Sequence, residues 1–115
     1  MTKSVSIKIR FHNDDFVAIG PGKADLLEAI KVHGSISAAG RAMGMSYKRA
    51  GDLVKAMNNG FTKPLVETVK GGSNGGGASV TELGQSVLEN YRQIEQKASL
   101  AVEADLLRIK ELMAS

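Results

Sequence analysis

Two glycines divide the middle of the chain into short helical segments. The apolar residues of the segment 22–33 fall on one helical stripe, and Gly34 follows it. Gly44 stops a second segment after about two turns, and Ser46 can cap a third segment that reaches roughly Met57. Three short helices within about 35 residues, separated by tight turns, are typical of a helix-turn-helix unit.

Short extended segments lie on both sides of these helices. In residues 5–12 apolar positions alternate with polar ones, which predicts a half-buried strand, and the apolar residues 16–19 complete a small hairpin. After the third helix, residues 65–69 and 78–80 favour two further strands, separated by the glycine-rich stretch KGGSNGGG. A hairpin placed directly after a third helix is a wing.

Thr81 can cap a long final helix that runs from about Glu82 to Met113. At about 1.5 Å per residue this helix would be on the order of 45 Å long, which is longer than a domain of this size needs for its own core. Such an arm usually packs against another chain, and the alternative is a terminal helix that folds back on its own domain. The residues that would make the contact are apolar and spaced by threes and fours, with one interruption at Asp105: Leu83, Val87, Tyr91, Ile94, Ala98, Ala101, Ile109 and Leu112.

The composition excludes several classes of function. The 115 residues make one ordinary domain, with no cysteine and only two histidines, His12 and His33. Disulfides, thiolate metal sites and cysteine nucleophiles are therefore excluded, and a catalytic site would need to be built almost wholly from carboxylates and hydroxyls. The sequence predicts that the chain is not an enzyme and holds no metal or other cofactor. It shows neither a signal peptide nor an apolar run of membrane-helix length, so the expected location is cytoplasmic.

Basic residues are concentrated in the middle of the chain. Residues 31–72 hold seven Lys/Arg and two Asp/Glu, whereas residues 1–30 hold four of each and residues 73–115 hold four and six. A basic middle suggests contact with a polyanion. The polar face of the third helix would read DNA, while the preceding helix and the wing hold the phosphate backbone. The predicted DNA-binding residues are Ser35, Ser37, Arg41, Ser46, Tyr47, Lys48, Arg49, Asp52, Lys55, Lys63, Lys70, Ser73 and Asn74.

Three residues of this set have specific expected roles. Lys48 and Arg49 are candidates for contact with guanine, the commonest specific pairing in the major groove. Asp52 can accept a hydrogen bond from cytosine N4, but it would repel phosphate, so it should lie over the centre of the groove or pair with a neighbouring lysine. The alternative function is a protein-interaction module that keeps the winged fold and has little sequence-specific affinity for DNA.

The stretch GSISAAGRAMGMSYKRAGDLV (34–54), followed by KPLVETVKGGSNGGGASVTELGQSVLENY (63–91), resembles the amino-terminal DNA-binding domain of the ModE family, the molybdate-responsive transcription regulators. The resemblance covers roughly residues 5–115, and its helix-turn-helix part is also similar to the LysR-type pattern. The family usually has Trp after the YKRA-like segment, where this chain has Gly51. Operator specificity is therefore not carried over from the family.

The resemblance implies a mainly α fold with small β-hairpins, of the α+β class. It implies a winged helix-turn-helix DNA-binding domain over residues 1–80 and a long C-terminal dimerisation helix over residues 81–115. It also implies a homodimer, a palindromic operator in double-stranded DNA, no membrane partner and a genetic context in molybdenum metabolism. Molybdate is bound in that family by separate carboxy-terminal domains, so no molybdate site is expected in these residues. The chain is then either a single-domain relative or a fragment of a longer protein.

Overall fold

The elements follow the order predicted for a winged helix-turn-helix. The computed structural model describes residues 3–70 and 76–114. Its elements in chain order are β1 (Phe11–Asn13), β2 (Phe16–Ile19), α1 (Pro21–His33), α2 (Ile36–Ala42), α3 (Tyr47–Gly60), β3 (Val66–Val69), β4 (Gly77–Val80), α4 (Glu82–Ala101) and α5 (Glu103–Leu112). Gly34 (φ 76°) and Gly44 (φ 71°) both adopt the left-handed conformation that glycine enters without steric cost. The two turns that separate α1, α2 and α3 are therefore confirmed.

The three helices pack their apolar faces around one core. Fully buried side chains include Leu26, Leu27 and Ile30 of α1 and Met57 of α3. Helices α2 and α3 come close together because small residues meet there. A Cβ atom on Gly40 would lie 3.1 Å from the Cβ of Ala50, so a larger residue would push the two helices apart. The relative orientation of α2 and α3 is thereby fixed by the core.

The second hairpin is the predicted wing, and it is attached to the core at both strands. Strands β3 and β4 pair antiparallel from Val66 opposite Val80 to Val69 opposite Gly77. The backbone N–H of Ala78 donates to the carbonyl oxygen of Gly34 at 2.8 Å. The second strand of the wing is therefore held against the residue that ends α1.

Asn58 joins the wing to α3. Its side-chain oxygen accepts hydrogen bonds from the backbone N–H groups of Leu65 (2.8 Å) and Val66 (3.1 Å), and its amide nitrogen donates to the carbonyl oxygen of Val66 (3.0 Å). These contacts satisfy backbone groups that have no helix or sheet partner where the chain turns from α3 into β3. One side chain thus sets where β3 starts relative to α3.

Helix α4 is packed against the base of the wing through Gly84. This residue is buried, and a Cβ atom at this position would overlap the carbonyl oxygen of Leu65 and approach Val80 Cγ1 to 2.8 Å. Thr81, the N-cap of α4, accepts from the N–H of Gly84 at 3.0 Å and donates to the carbonyl oxygen of Pro64 at 2.8 Å. The first turn of α4 and the start of β3 are therefore one rigid unit.

The prediction of a strand over residues 5–12 is wrong for residues 5–10. Strand β1 begins at Phe11, which pairs with Ile19, so an antiparallel partner for the preceding residues would have to come from Gly20 and Pro21. Those residues begin α1, and proline has no N–H to donate. The alternation itself is real, because Val5, Ile7 and Ile9 are half-buried while the residues between them are exposed.

Residues 3–10 run along the last two helices instead. Tyr91 of α4, which is 2% exposed, donates its hydroxyl hydrogen bond to the carbonyl oxygen of Ile9 at 2.6 Å. Burial, followed by the nearby carboxylate of Glu95, raises the pKa of this phenol above its ordinary value. At the other end, the ammonium group of Lys3 donates to the carbonyl oxygen of Met113 at 3.0 Å.

The prediction of one continuous helix from Glu82 to Met113 is also wrong. The helix is interrupted at Val102 (φ −108°, ψ 8°), which separates α4 from α5. No glycine or proline marks this point, and its distinguishing feature is a β-branched side chain, whose rotamers are restricted in a helix. Among the residues that the structure describes, no helix is long and apolar enough to cross a membrane.

Two helical glycines give a matched pair of substitutions. We expect Gly84→Ala to destabilise the fold by about 1 to 3 kcal/mol, because the added methyl group overlaps the Leu65 carbonyl. Gly51 has no heavy atom within 4 Å of its Cβ position, so Gly51→Ala should stabilise the fold by about 0.5 to 1 kcal/mol. Urea unfolding followed by circular dichroism measures both, and changes of the same sign would contradict the close contact at Gly84 or the open space at Gly51.

Asn58 and Asn59 form a second matched pair. Asn58→Ala leaves the N–H groups of Leu65 and Val66 without their acceptor, so we expect a loss of about 1 to 3 kcal/mol in the free energy of unfolding. Asn59 is exposed on the same helix, and Asn59→Ala should change it by less than about 0.5 kcal/mol. Equal unfolding midpoints for the two variants in urea would show that Asn58 does not hold the wing.

Candidate nucleic-acid interface

Helix α3 has one buried face and one charged, exposed face. Ala50, Val54 and Met57 are buried in the core. Ser46 is the N-cap, and its hydroxyl oxygen accepts from the backbone N–H of Arg49 at 3.1 Å. The predicted DNA-binding residues of this helix all lie on its exposed side: Tyr47, Lys48, Arg49, Asp52 and Lys55.

The exposed face contains one ion pair. Lys48 Nζ lies 3.1 Å from Asp52 Oδ2, one helical turn away, with both side chains largely exposed. This pairing is one of the two arrangements that the sequence predicts for Asp52. The same two residues line a shallow groove of about 230 Å³ together with Ser46, Arg49 and Leu53. Donor, acceptor and apolar groups therefore meet at the first turns of α3.

A second cleft lies between α2, the start of α3 and the wing. It has a volume of about 440 Å³, and four predicted residues line it: Ser35, Ser37, Arg41 and Tyr47. Ser35 caps α2 by accepting from the N–H of Ala38 at 3.0 Å, and Arg41 donates to the Ser37 hydroxyl at 3.0 Å. Thr68, Gly76 and Gly77 of the wing complete the cleft. It is concave, polar and carries one arginine.

The wing residues of the prediction are less concentrated. Lys63 is exposed and lines a separate groove with Glu67 and Glu82, and Lys70 is exposed beyond the end of β3. Ser73 and Asn74 lie outside the residues that the structure describes. The structure thus brings together the predicted residues of α2 and α3 but not Lys63.

The predicted contact stripe on the last helices is divided by the structure. Leu83, Val87 and Ala98 are half-buried, and Tyr91 is committed to the core of its own chain. The exposed members of the stripe, at which another chain could pack, are Ile94 (39% exposed), Ala101, Ile109 (57%) and Leu112 (83%). Ile94 also borders an apolar groove of about 260 Å³ that Phe11, Phe61 and Val87 line.

Sequence reasoning missed Arg92, which connects α4 to α1. Its guanidinium group contacts Asp25 (2.7 Å) and Glu28 (3.3 Å) of α1 and Glu95 (3.0 Å) of its own helix. Burial lowers the pKa of Arg92, but hydrogen bonds to Asp25 and Glu95 outweigh that effect and raise it. The i,i+3 spacing to Glu95 is visible in the sequence, whereas the contacts to α1 depend on the fold.

Known proteins with similar sequences include a transcriptional regulator, a molybdenum transport protein and a molybdenum-pterin-binding protein. The chain is 38% identical over 99 residues to the DNA-binding transcriptional dual regulator ModE of Escherichia coli (strain K12), covering 83% of this chain and 38% of that protein. It is 34% identical over 105 residues to the molybdenum transport protein ModE of Azotobacter vinelandii, covering 91% and 39%. It is 47% identical over 77 residues to the molybdenum-pterin-binding protein MopA of Rhodobacter capsulatus, covering 67% and 29%. No protein-family profile matches the chain.

These similarities cover only part of each relative, since the chain spans between 29% and 39% of their lengths. Their names describe a regulator, a transport protein and a binding protein, which agrees with the prediction that this chain is not an enzyme.

A solved structure supports the winged fold. This chain is similar to full-length CbnR, a LysR-type regulator complexed with its target DNA. The matched region covers 73% of this chain and 27% of CbnR, with a TM-score of 0.55 and 19% identity. At that identity the match concerns the fold alone, and it confirms the predicted mainly α architecture with two small hairpins. The sequence similarity to the ModE proteins and the arrangement of α1 to α4 together establish the chain as a ModE-like helix-turn-helix domain with the winged fold.

Proposed function

We propose that this chain is the DNA-binding part of a transcription regulator that acts in molybdenum metabolism. The observation that carries the proposal is the exposed face of α3, where Lys48, Arg49 and Lys55 lie opposite the buried face. A helix of this kind fits the major groove, and Arg or Lys can contact the acceptor atoms of guanine there. The relative named as a DNA-binding transcriptional dual regulator supports the DNA partner, and the relative named as a molybdenum transport protein supports the molybdenum context.

The cleft beside α3 accounts for contacts with the DNA backbone. Arg41 is exposed at the edge of this cleft, and the Ser37 hydroxyl orients its guanidinium group. A bidentate donor held in this way suits a phosphate oxygen pair. In the proposed complex, α3 reads base edges, α2 crosses the backbone and the wing follows the adjacent phosphates, with Lys70 at its exposed end. Affinity then falls steeply as salt rises, since phosphate contacts release counterions.

Selection of bound fragments from random DNA at near-physiological salt tests this function. We expect an enriched site for the unmodified chain and, for Arg49→Ala, a loss of about 5- to 100-fold in affinity for that site, because a base contact is removed. Lys8→Ala is the matched control, since Lys8 is exposed on the segment that runs along the last helices. Its affinity for the enriched site should stay close to that of the unmodified chain.

The results separate two functions. An enriched site that needs Arg49 and does not need Lys8 supports a sequence-specific regulator. Binding only at low salt, without enrichment, would favour a winged-helix module that binds another protein.

The proposal includes a homodimer that binds a palindromic site. Ile94, Ile109 and Leu112 are exposed apolar residues on the last two helices, and the dimer would bury them. The proposal assigns no cofactor to this chain, and any molybdate site would belong to a separate domain. The proposed location is the cytoplasm.

Charge at Ile94 tests the dimer. Ile94→Glu should shift the chain from dimer to monomer in sedimentation velocity, because it places a carboxylate in an apolar interface. Gln93→Glu adds the same charge at the neighbouring exposed position and should leave the dimer intact. A monomer for the unmodified chain, or equal effects of both substitutions, would contradict an interface at Ile94.

A further inference from the structure

The exposed face of α3 carries a single carboxylate among its basic residues. Asp52 lies between Lys48 and Lys55 in sequence, and all three side chains are exposed, as is Arg49. A carboxylate near DNA repels the phosphates and reduces the net positive charge of the face. Asp52 therefore weakens general affinity for DNA, unless a specific partner offsets the repulsion.

The chemistry of the major groove limits what that partner can be. A carboxylate accepts hydrogen bonds and donates none, so it needs an amine on a base edge. Cytosine and adenine both present an amine there, but adenine also presents the acceptor N7 beside its amine, which repels a carboxylate. Asp or Glu therefore pairs with the N4 amine of cytosine, whereas thymine presents only an acceptor oxygen and a methyl group.

The geometry places Asp52 beside a donor for the same base pair. Asp52 and Arg49 line one shallow groove with Ser46 and Leu53 at the first turns of α3. The carboxylate and the guanidinium group thus face the same region, where one can accept from cytosine while the other donates to guanine.

The ion pair with Lys48 gives Asp52 two states. The two charged groups are 3.1 Å apart, with side chains that are 85% and 63% exposed. Pairs as exposed as this one are weak and open easily. While the pair is closed, Lys48 is partly neutralised. When the carboxylate instead accepts a hydrogen bond from a cytosine amine, Lys48 is free to contact a phosphate or a guanine.

We propose that Asp52 is a specificity-determining residue, which selects a cytosine in the binding site and suppresses binding elsewhere. The inference rests on the proposed DNA-binding function and adds the base that one side chain reads. At sites without a cytosine in that position, Asp52 stays paired with Lys48 and its charge opposes the phosphates.

The test measures the coupling between residue 52 and individual bases. The unmodified chain and Asp52→Asn are titrated by fluorescence anisotropy against the selected site, against variants with each cytosine replaced by thymine, and against random duplex. We expect one replacement to lower the affinity of the unmodified chain for the site about tenfold. The same replacement should lower the affinity of Asp52→Asn less than about threefold, since an amide can both donate and accept. Asp52→Asn should also bind random duplex several-fold more tightly, with a steeper salt dependence.

Two controls separate this role from other effects. Asp15→Asn removes the same charge in the turn between β1 and β2 and should leave base preference unchanged. Lys48→Met removes the partner of Asp52 without removing the acceptor, so the cytosine preference should persist in it. Asp52→Asn should unfold at the same temperature as the unmodified chain because its side chain is exposed.

The results show whether the inference about Asp52 fails alone or together with the proposed function. An unchanged cytosine preference in Asp52→Asn, with a selected site for the unmodified chain, overturns the inference and leaves the proposed function standing. Loss of the preference in Lys48→Met as well would assign the selectivity to Lys48 and also overturn it. If the unmodified chain selects no site at all, the proposed function fails, and the inference fails with it.

Discussion

The geometry of the domain depends on the three hydrogen bonds that Asn58 makes to the backbone of Leu65 and Val66. In the proposed complex, helix α3 and the wing contact one DNA molecule at the same time, so their relative position has to be set before binding. Neither element could set it alone, because α3 ends at Gly60 and the first wing strand is only four residues long. The side chain of Asn58 sets it by bonding from α3 to the backbone at the start of β3, and both the donor and the acceptor of this partly buried amide are used.

The last helices are attached to this unit through a different kind of contact. At the start of α4, Gly84 has no side chain, so the helix directly contacts the backbone carbonyl of Leu65. Further along, Arg92 links α4 to α1 through Asp25 and Glu28. Helix α1 in turn accepts a hydrogen bond from the wing at Gly34. The wing, α1 and α4 are therefore connected to one another, and α2 and α3 pack against α1.

Much of this fold could be predicted because local signals decided it. The glycines at positions 34 and 44, the serine cap at position 46 and the polar face of α3 each depend on residues close by in the sequence, and all appear in the structure. The errors arise where distant residues decide. Residues 5–10 have a strand pattern, but α1 starts where their sheet partner would be, and the last helix is interrupted without glycine or proline.

The site shows the same division. The face of α3 follows from helical periodicity, and the pairing of Lys48 with Asp52 follows from i,i+4 spacing. The contacts of Asn58 with β3 and of Arg92 with α1 join elements across the fold, and no pattern within either element indicates them. The space beside Gly51 is open, and the structure gives no contact that explains glycine there.

The Arg92 cluster has a consequence for how this domain responds to ions. Its three ion pairs are partly exposed, with Arg92 33% exposed, so added salt screens them just as it competes with phosphate contacts. Concentrated salt therefore loosens the joint between α1 and α4 while it displaces DNA. In the proposed homodimer, ionic strength would act through that joint on the angle between the two recognition helices. A count of phosphates read from salt titrations of the dimer would then contain a contribution from the protein's own internal charges.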